Sequence, residues 1–253
     1  MNYFYNSSNK KVHHESLPSS FRMLIVGQSG CGKTTLLMQL LLQENLLNYD
    51  NLYIFSKSLY QPEYQCLIHG FKNKLPKSAI LSMMNTGDEI EKYENRTIDE
   101  IAKYYARICE CNSDIEIECF KSASDVPDPT ELDSRKRNLM VFDDIMNERS
   151  QKTPEDYYTR GRTCNCDSIY LSQNYIKLPL HTIRSNSNLM VFFKLSPQDR
   201  NQIFQKFAAM DMSKPEFNQI CSQAWERDYG YLVIDTTQKY KSGNKYRFDI
   251  IFN

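Results

Sequence analysis

The sequence of 253 residues has no excess of charge of one sign. Lysine plus arginine and aspartate plus glutamate number 31 each, so the formal net charge is zero. The chain as a whole therefore has no general electrostatic attraction to nucleic acid or to a membrane surface. Any contact with nucleic acid must come from a local patch or from several subunits acting together.

The sequence also lacks long apolar runs, internal repeats and low-complexity tracts. No apolar run approaches the roughly 20 residues that cross a bilayer, and residues 1–6 lack the apolar core of a signal peptide. We therefore expect a cytosolic or nuclear protein whose 8 cysteines are mostly reduced thiols. The pairs Cys109/Cys111 and Cys164/Cys166 are spaced more tightly than usual zinc ligands, which favours free thiols over a shared metal site.

What the sequence does contain is a complete phosphate-binding loop at residues 27–34, with the pattern G-x-x-x-x-G-K-[ST]. Glycines let the backbone turn tightly, so that its N–H groups can face phosphates. We expect Lys33 to reach the β- and γ-phosphates of ATP and the Thr34 hydroxyl to bind Mg²⁺. The predicted nucleotide-binding residues are Gly27, Gln28, Ser29, Gly30, Cys31, Gly32, Lys33, Thr34 and Thr35.

The segments on both sides of this loop have the character that the motif requires. Phe21–Val26 is an apolar run suited to a buried strand, and residues 35–42 are rich in strong helix formers. Strand, glycine-rich loop and helix, in that order, form the usual setting of a nucleotide site, with the helix N-terminus facing the phosphates. A glycine-rich turn at a helix start is the alternative interpretation.

Two aspartates end another apolar strand. Leu139–Phe142 is followed by Asp143 and Asp144. A buried strand of this kind places its terminal carboxylates at the carboxyl end of the sheet, where the phosphate loop also lies. We expect Asp143 to bind Mg²⁺, directly or through water, and Asp144 to polarise the attacking water. An acid doublet joined to a complete phosphate loop indicates hydrolysis rather than binding alone.

Further polar residues suit a phosphoryl-transfer site. Gln173 follows the predicted strand Ser168–Ser172 and is expected to sense the γ-phosphate, with an ordinary turn residue as the alternative. Arg160, Arg162 and Arg184 are candidates for stabilising the transferring phosphoryl group, a role worth roughly 10³–10⁵ in rate. Such an arginine often comes from a neighbouring subunit. For each of them, a surface ion pair is the alternative.

The remaining pattern predicts an α/β domain. Residues 1–20 lack periodicity and are expected to form a polar tail before an ATPase domain at 21–253. The charged segment 110–137 is expected to be a surface insertion or flexible loop. Strands alternating with helices imply a largely parallel sheet with helices on both faces. Further strands are expected at 52–56, 79–82 and 188–193, and a short helix followed by a loop is expected at 61–75. Helices are also expected at 97–108, 155–161, 197–209 and 213–225, and a hairpin at 231–234 and 246–252.

Four blocks carry a resemblance to a known family. They are Gly27–Thr35, the apolar strand ending in Asp143 and Asp144, Thr159–Arg162, and Tyr170–Tyr175. Together they resemble the poxvirus-type genome-packaging ATPases of the FtsK–HerA superfamily, whose relatives occur in large nucleocytoplasmic DNA viruses, virophages and polinton-like elements. The resemblance spans residues 21–235 and depends on these blocks.

This resemblance implies a P-loop NTPase fold of the RecA-like, FtsK–HerA type with a C-terminal antiparallel hairpin. It implies that the phosphate loop and Asp143 bind Mg-ATP, that Asp144 is the catalytic acid and Gln173 the sensor, and that an arginine acts in trans. It also implies a homo-oligomeric ring, a hexamer or pentamer, around double-stranded DNA. Such a ring works at a capsid vertex, in the host cytoplasm or nucleus, and is associated with the virion.

Contacts with DNA are weakly marked in the sequence. Lys239–Arg247 interleaves basic and aromatic residues, and Lys72–Lys77 carries three lysines. For both, a solvated strand edge carrying lysine is the alternative. The leading hypothesis is an ATP-driven DNA-packaging motor. The alternatives are a cellular-type DNA translocase or helicase, a small-molecule phosphotransferase, and a nucleotide-switched binding module with little turnover.

Overall fold

The structure is a computed structural model that describes residues 13–85, 96–109 and 112–251. Within them, eight strands form one sheet in the order β3-β2-β4-β5-β1-β6-β7-β8. The strands are β1 (Arg22–Val26), β2 (Asn51–Ser56), β3 (Glu116–Phe120), β4 (Asn138–Asp143), β5 (Cys166–Ser172), β6 (Leu189–Phe192), β7 (Leu232–Asp235) and β8 (Tyr246–Arg247).

The strands from β3 to β6 in this order are parallel, whereas β7 and β8 are antiparallel to their neighbours. This arrangement confirms the predicted mainly parallel sheet with antiparallel C-terminal strands. The C-terminal hairpin is shorter than expected. Its second strand has 2 residues, and residues 240–242 between the strands form a 3₁₀ turn.

The helices lie between the strands, as the sequence pattern predicts. In the described part of the chain they are α1 (Lys33–Leu42), α2 (Pro62–Lys72), α3 (Lys77–Asn85), α4 (Ile98–Ile108), α5 (Lys152–Arg160), α6 (Pro197–Ile203) and α7 (Lys214–Trp225). Helix α4 begins with a capping box, in which Thr97 and Glu100 each bond the other's backbone N–H. Helix α6 continues as a π-helical turn at Phe204–Ala208.

Alternating strand residues build an apolar layer on each face of the sheet. On β1, Met23 and Ile25 pack with residues of α1 to α4, whereas Leu24 and Val26 pack with residues of α5 to α7. Strands β2 and β4 are buried along their whole length. Burial on both faces is typical of parallel strands covered by helices, and the predicted two-sided architecture is confirmed.

Residues 79–82, predicted as a strand, belong to helix α3. The helix buries Ala79, Ile80 and Met83, a spacing that places them on one face. The prediction was wrong because a four-residue apolar run fits a strand and a helical turn equally well.

The segment 110–137, expected as a surface insertion, contributes a strand to the sheet. Residues 116–120 form β3, which pairs with β2 along its whole length. Its two glutamates alternate with less exposed residues. Charged residues on an outermost strand commonly prevent that edge from pairing with another chain. Because of these charges, the sequence of the strand resembled that of a surface loop.

Residues 13–20, expected as part of a polar tail, pack onto the domain. The Nε2 atom of His13 lies 2.8 Å from Oδ2 of Asp167, and Leu17 is buried in the core. Residues 1–12 lie outside the described residues. Among the described helices, none has the length and apolar character needed to span a membrane.

The parallel strands end at two opposite edges of the sheet. We call the ends of the parallel strands, at Val26, Ser56, Asp143 and Ser172, the carboxyl rim, and the opposite ends of the same strands the amino rim. Strand β5 has 7 residues. At the usual rise of a strand, the rims lie about 20 Å apart.

Candidate active site

The phosphate loop, the two aspartates and Gln173 line one cavity at the carboxyl rim. Its volume is about 770 Å³. The predicted site residues that line it are Ser29, Gly30, Gly32, Lys33, Thr34, Thr35, Asp143, Asp144 and Gln173. Residues separated by more than 100 positions in sequence thus share one site.

The strand order explains why these distant residues lie together in one cavity. Strand β5 pairs with β1 on one side and with β4 on the other. Gln173 directly follows β5, so it lies between the loop that follows β1 and the acids that end β4. A residue in this position faces both the phosphate loop and the two acids.

Two glycines give the phosphate loop its shape. Gly32 has φ +97°, a left-handed conformation that side chains rarely adopt. A Cβ atom on Gly27 would lie 2.6 Å from both Cys31 Sγ and Phe193 Cβ. A side chain at either position would distort the loop, which is why these positions of the motif require glycine.

Lys33 is the first residue of α1, directly after the loop. Its Nζ atom donates to the carbonyl oxygens of Gly27 and Gln28, at 2.7 Å each. The first turn of α1 has no acidic residue. The positive end of the helix dipole and the ammonium group therefore face the cavity together, as anion binding requires.

Asp143 is buried at the end of β4, and its partner is a buried tyrosine. The hydroxyl of Tyr64, on α2, donates to Asp143 Oδ2 at 2.6 Å. Burial raises the pKa of Asp143, and the nearby charge of Asp144 raises it further, whereas the Tyr64 hydrogen bond and Lys33 act in the opposite direction. The donors to this carboxylate, the Tyr64 hydroxyl and the Asp144 backbone N–H, are both neutral, so the buried carboxylate is suited to bind a cation.

Asp144 leaves the strand in a left-handed conformation, with φ +54°. Aspartate tolerates this conformation better than most residues. The hydroxyl of Ser58 donates to Asp144 Oδ2 at 2.7 Å. Ser58 lies just beyond β2, so a third strand end contributes to the orientation of this carboxylate.

Ser58 and Tyr64 are site residues that the sequence reasoning missed. Ser58 carried a signal, because it is a polar residue just beyond a buried strand, as Asp144 is. Tyr64 carried none, since a tyrosine inside a helix usually packs in the core. Both residues act on the acids, and neither forms part of a recognised motif.

Gln173 is exposed to the cavity, and its side chain forms no hydrogen bond to any described residue. The turn around it is fixed by its neighbours, because the Ser172 hydroxyl donates to the Asn174 carbonyl oxygen at 2.8 Å. A fixed backbone with an unengaged amide is the arrangement expected of a group that contacts a ligand.

Arg160 and Arg162 lie near the start of β5, at the amino rim, and do not line the cavity of their own chain. Arg160 forms ion pairs with Asp128 at 2.7 Å and Asp156 at 3.2 Å. Arg162 is exposed and forms no ion pair within the described residues. Its charge lies close to Arg22, whose pKa is lowered by burial and then by Arg162.

Arg184 is buried and engaged within the chain. Its guanidinium lies 5.0 Å from the ring centre of Tyr175 and donates to Gln202 Oε1 at 3.0 Å. Its backbone carbonyl accepts from Lys206 Nζ at 2.8 Å. The structure therefore brings none of the three candidate arginines to the cavity of the same chain.

Most cations of the first candidate DNA segment, Lys239–Arg247, are engaged within the chain. Lys245 pairs with Asp211, and Arg247 is buried beside Asp235 at 3.7 Å. Lys239 and Lys241 remain exposed. This segment follows the antiparallel strand β7 and therefore lies at the amino rim.

The second candidate segment, Lys72–Lys77, keeps one exposed lysine, Lys72. Lys74 pairs with Glu116 at 2.5 Å. Lys77 is buried 4.2 Å from the ring centre of Tyr49, and burial lowers its pKa to about 8. Each segment therefore offers fewer cations to DNA than its sequence suggests.

The described members of the two cysteine pairs, Cys109, Cys164 and Cys166, do not line the cavity. Cys164 and Cys166 are buried, and Cys111 of the other pair lies outside the described residues. Within those residues, no group of three or more His, Cys, Asp or Glu side chains is arranged to hold a metal ion. A site built on the phosphate loop needs fewer protein ligands, because Mg²⁺ usually keeps several waters and binds the phosphates themselves.

Comparison with known proteins gives one sequence match. Residues 9–106 match the profile of the poxvirus A32 protein family. No curated protein sequence matches the chain. The matched region includes the phosphate loop and Tyr64, whereas Asp143, Asp144 and Gln173 lie beyond it.

Two solved structures illustrate the similarity in fold. The genome packaging NTPase B204 from Sulfolobus turreted icosahedral virus 2 aligns over 93% of this chain and 100% of its own, at 10% identity and a TM-score of 0.47. VirB4 of Thermoanaerobacter pseudethanolicus aligns over 86% of this chain and 87% of its own, at 14% identity and a TM-score of 0.46. Identities this low do not transfer a function to the chain.

The sequence match and the cavity agree with each other. The matched residues carry the complete phosphate loop, and the fold places an acid doublet opposite that loop. Over residues 9–106 the chain carries the sequence pattern of the poxvirus A32 protein family, and this match confirms its resemblance to the viral genome-packaging ATPases.

Proposed function

We propose that this protein is an ATP-driven translocase that packages double-stranded viral DNA into a capsid. The observation that carries the proposal is the cavity at the carboxyl rim. It combines a complete phosphate loop with two carboxylates and a free amide, in a chain that matches the poxvirus A32 family.

The chemistry follows from the positions of the side chains. Lys33 and the N-terminus of α1 hold the β- and γ-phosphates. Asp144, oriented by Ser58, accepts the proton of the attacking water. Gln173, between the phosphate loop and the acids, contacts the γ-phosphate and changes its contacts when that phosphate leaves.

A magnesium ion fits the residues present. The Thr34 hydroxyl and the Asp143 carboxylate both line the cavity, and oxygen atoms of this kind are the ligands that Mg²⁺ prefers. The raised pKa of Asp143 reflects a buried charge that a cation would stabilise. When bound, the ion would neutralise charge that develops on the transferring phosphoryl group.

We further propose that the protein works as a homo-oligomeric ring, a hexamer or pentamer. Among the described residues no arginine lines the cavity, and Arg162 is exposed at the opposite rim. In a ring, the amino rim of one subunit can supply Arg162 to the carboxyl rim of the next. Exposed lysines from each subunit would then add their fields around the DNA.

The test is ATP hydrolysis measured with and without double-stranded DNA, together with a native-mass measurement of the assembly. We expect DNA to stimulate hydrolysis by a ring-shaped oligomer. A monomer whose hydrolysis ignores DNA but is stimulated by a small phosphate acceptor would identify a phosphotransferase instead.

The matched control is Lys33→Ala, which keeps the fold and removes the phosphate-binding charge. We expect it to weaken ATP binding by about 10²–10³-fold, since truncating one partner of a buried charge pair typically costs this much. Binding measured by calorimetry gives the answer directly. Unchanged ATP affinity in this variant would remove the phosphate loop from the proposal.

A further inference from the structure

Tyr229 is an exposed aromatic residue on the wall of the nucleotide cavity. It lies on the connection between α7 and β7, and it is 72% exposed. Its backbone has φ +57°. A bulky residue in the left-handed region is a genuine outlier, so the surrounding structure must hold it there.

The neighbouring residues hold this backbone in place. A Cβ atom on Gly230 would lie 2.1 Å from the carbonyl oxygen of Ala224, so the chain passes too close to α7 for any side chain. Arg227 fastens the other side of the turn, because its Nη2 atom donates to the Phe248 carbonyl oxygen at 2.5 Å. The position of Tyr229 is therefore set by contacts outside the cavity.

The Tyr229 ring lies against the phosphate loop. A Cβ atom on Gly32 would be 3.2 Å from Tyr229 Cδ1. The ring thus covers the last glycine before Lys33, and one of its surfaces remains accessible from the cavity. A flat aromatic surface beside the phosphates is a platform for another flat group.

The sheet fixes which end of a nucleotide would meet this ring. The acids and Gln173 follow β4 and β5, which lie on one side of β1, whereas β6 and β7 lie on the other side. A γ-phosphate in contact with the acids directs the nucleoside away from them. Tyr229 lies three residues before the first residue of β7 and therefore on the nucleoside side of the loop.

We propose that Tyr229 binds the nucleobase of the bound nucleoside triphosphate by stacking. This inference deepens the proposed function and rests on its nucleotide site. Stacking uses the π-face that every base possesses, so it favours nucleoside triphosphates over inorganic triphosphate with little preference among bases. Tyr229 is thus a specificity-determining residue for the nucleoside and has no part in the chemical step.

The experiment compares the binding of ATP, GTP and inorganic tripolyphosphate by calorimetry, with Mg²⁺ present. Tyr229→Ala should weaken the binding of ATP and GTP by about 5- to 150-fold, the usual effect of removing a stacking side chain. Binding of tripolyphosphate should stay unchanged. Tyr229→Phe should behave as the wild type, because it keeps the ring.

Two further variants keep the result decisive. Tyr229→Asn removes the ring but tolerates the left-handed backbone, so it replaces the alanine variant if that one unfolds. Tyr60→Ala is the matched control, since Tyr60 is a tyrosine of similar exposure (75%) on the β2 side of the same cavity. We expect Tyr60→Ala to bind ATP within about twofold of the wild type, since the ring it removes lies away from the nucleoside side.

Either of two results overturns the proposal. One is wild-type ATP affinity in the ring-less Tyr229 variants, and the other is an equal loss of ATP and tripolyphosphate binding. Lys33→Ala separates these outcomes from a failure of the nucleotide site itself. If Lys33→Ala loses tripolyphosphate binding while the Tyr229 variants match the wild type, the site stands and only the stacking role falls.

Discussion

The carboxyl and amino rims of the sheet use their charged side chains in different ways. At the carboxyl rim, Lys33 donates to two carbonyl oxygens and to the Cys31 thiol, whereas Asp143 and Asp144 each accept from a hydroxyl group. At the amino rim, Arg160 is paired with two carboxylates. Arg184, the third candidate arginine, is buried against the ring of Tyr175.

We interpret the charges of the carboxyl rim as groups that bind a ligand, and the paired or buried arginines as groups that stabilise the chain. Neutral partners orient an ion without neutralising it, so the carboxyl rim retains its electrostatic interaction with phosphate and cation. At the amino rim Arg160 is neutralised by carboxylates of its own chain, whereas Arg162 is exposed and forms no ion pair within the described residues. The comparison therefore selects Arg162 as the arginine available to a neighbouring subunit.

The largest expected effect concerns Arg162. Arg162→Ala should lower ATP turnover by about 10³–10⁵-fold without changing ATP affinity, the usual effect of losing an arginine that acts on the transition state. Arg160→Ala should act mainly on stability, because its partners Asp128 and Asp156 belong to the same chain. Steady-state hydrolysis and calorimetric ATP binding measure the two effects separately.

Mixing subunits tests whether Arg162 acts in trans. Arg162→Ala subunits keep an intact phosphate loop, and Lys33→Ala subunits keep the arginine, so a mixture should regain activity that neither variant has alone. Full activity of Arg162→Ala, with loss in Arg160→Ala, would reverse the assignment. If neither variant loses activity, the amino rim has no part in catalysis.

The next largest effect concerns Asp144. Asp144→Asn should reduce turnover by about 10²–10⁴-fold, the usual contribution of a general base, while ATP remains bound. Asparagine also tolerates the left-handed backbone at this position, and its amide oxygen can still accept from Ser58. A loss of turnover would therefore result from removal of the negative charge, and not from a distorted backbone at the end of β4.

Single-turnover hydrolysis with bound ATP is the appropriate measurement for this variant. Ser58→Ala serves as the matched control, since it removes the orienting hydroxyl and keeps the carboxylate. Its turnover should fall less than that of Asp144→Asn. Undiminished hydrolysis by Asp144→Asn would exclude this residue as the base.

The carboxyl rim could be predicted from the sequence, because each of its main elements is local. The glycine-rich loop lies between a strand and a helix, and Asp143 and Asp144 directly follow an apolar run. Since the carboxyl ends of parallel strands meet at one rim, separate local signals converged on one cavity. The position of β5 between β1 and β4 was not predictable in this way, because strand order depends on long-range packing.

Other features depended on tertiary contacts that leave no sequence signal. Nothing in the sequence shows that the hydroxyl of Tyr64 points at Asp143, or that Arg184 packs on Tyr175. Strand β3 was not predicted, because an outermost strand can carry charged residues at about every second position and then resembles a surface loop. Helix α3 was mistaken for a strand because its apolar run was too short to show a period.

The smallest expected effect concerns stability and is tested on two carboxylates, the buried Asp143 and the ion-paired Asp128. Burial raises the pKa of Asp143 above its usual 3.8, so the folded state binds this proton more tightly than the unfolded state. Stability from this group is therefore present at low pH and is lost as the pH rises through the raised pKa. In the absence of Mg²⁺, Asp143→Asn should raise the free energy of unfolding at pH 7 by about 1 kcal/mol, and the melting temperature by about 2–4 °C.

Asp128 provides the control with the opposite sign. Arg160 lowers the pKa of Asp128, so its contribution is present at neutral pH and is lost on acidification, and Asp128→Asn should lower the melting temperature at pH 7. Thermal unfolding of both variants across pH, without nucleotide, gives the comparison. Added Mg-ATP should stabilise the wild type more than Asp143→Asn, because the variant keeps the phosphate loop but loses a cation ligand. If Asp143→Asn instead destabilises the chain at pH 7, the buried charge is compensated within the protein and the carboxyl rim is not held ready for a cation.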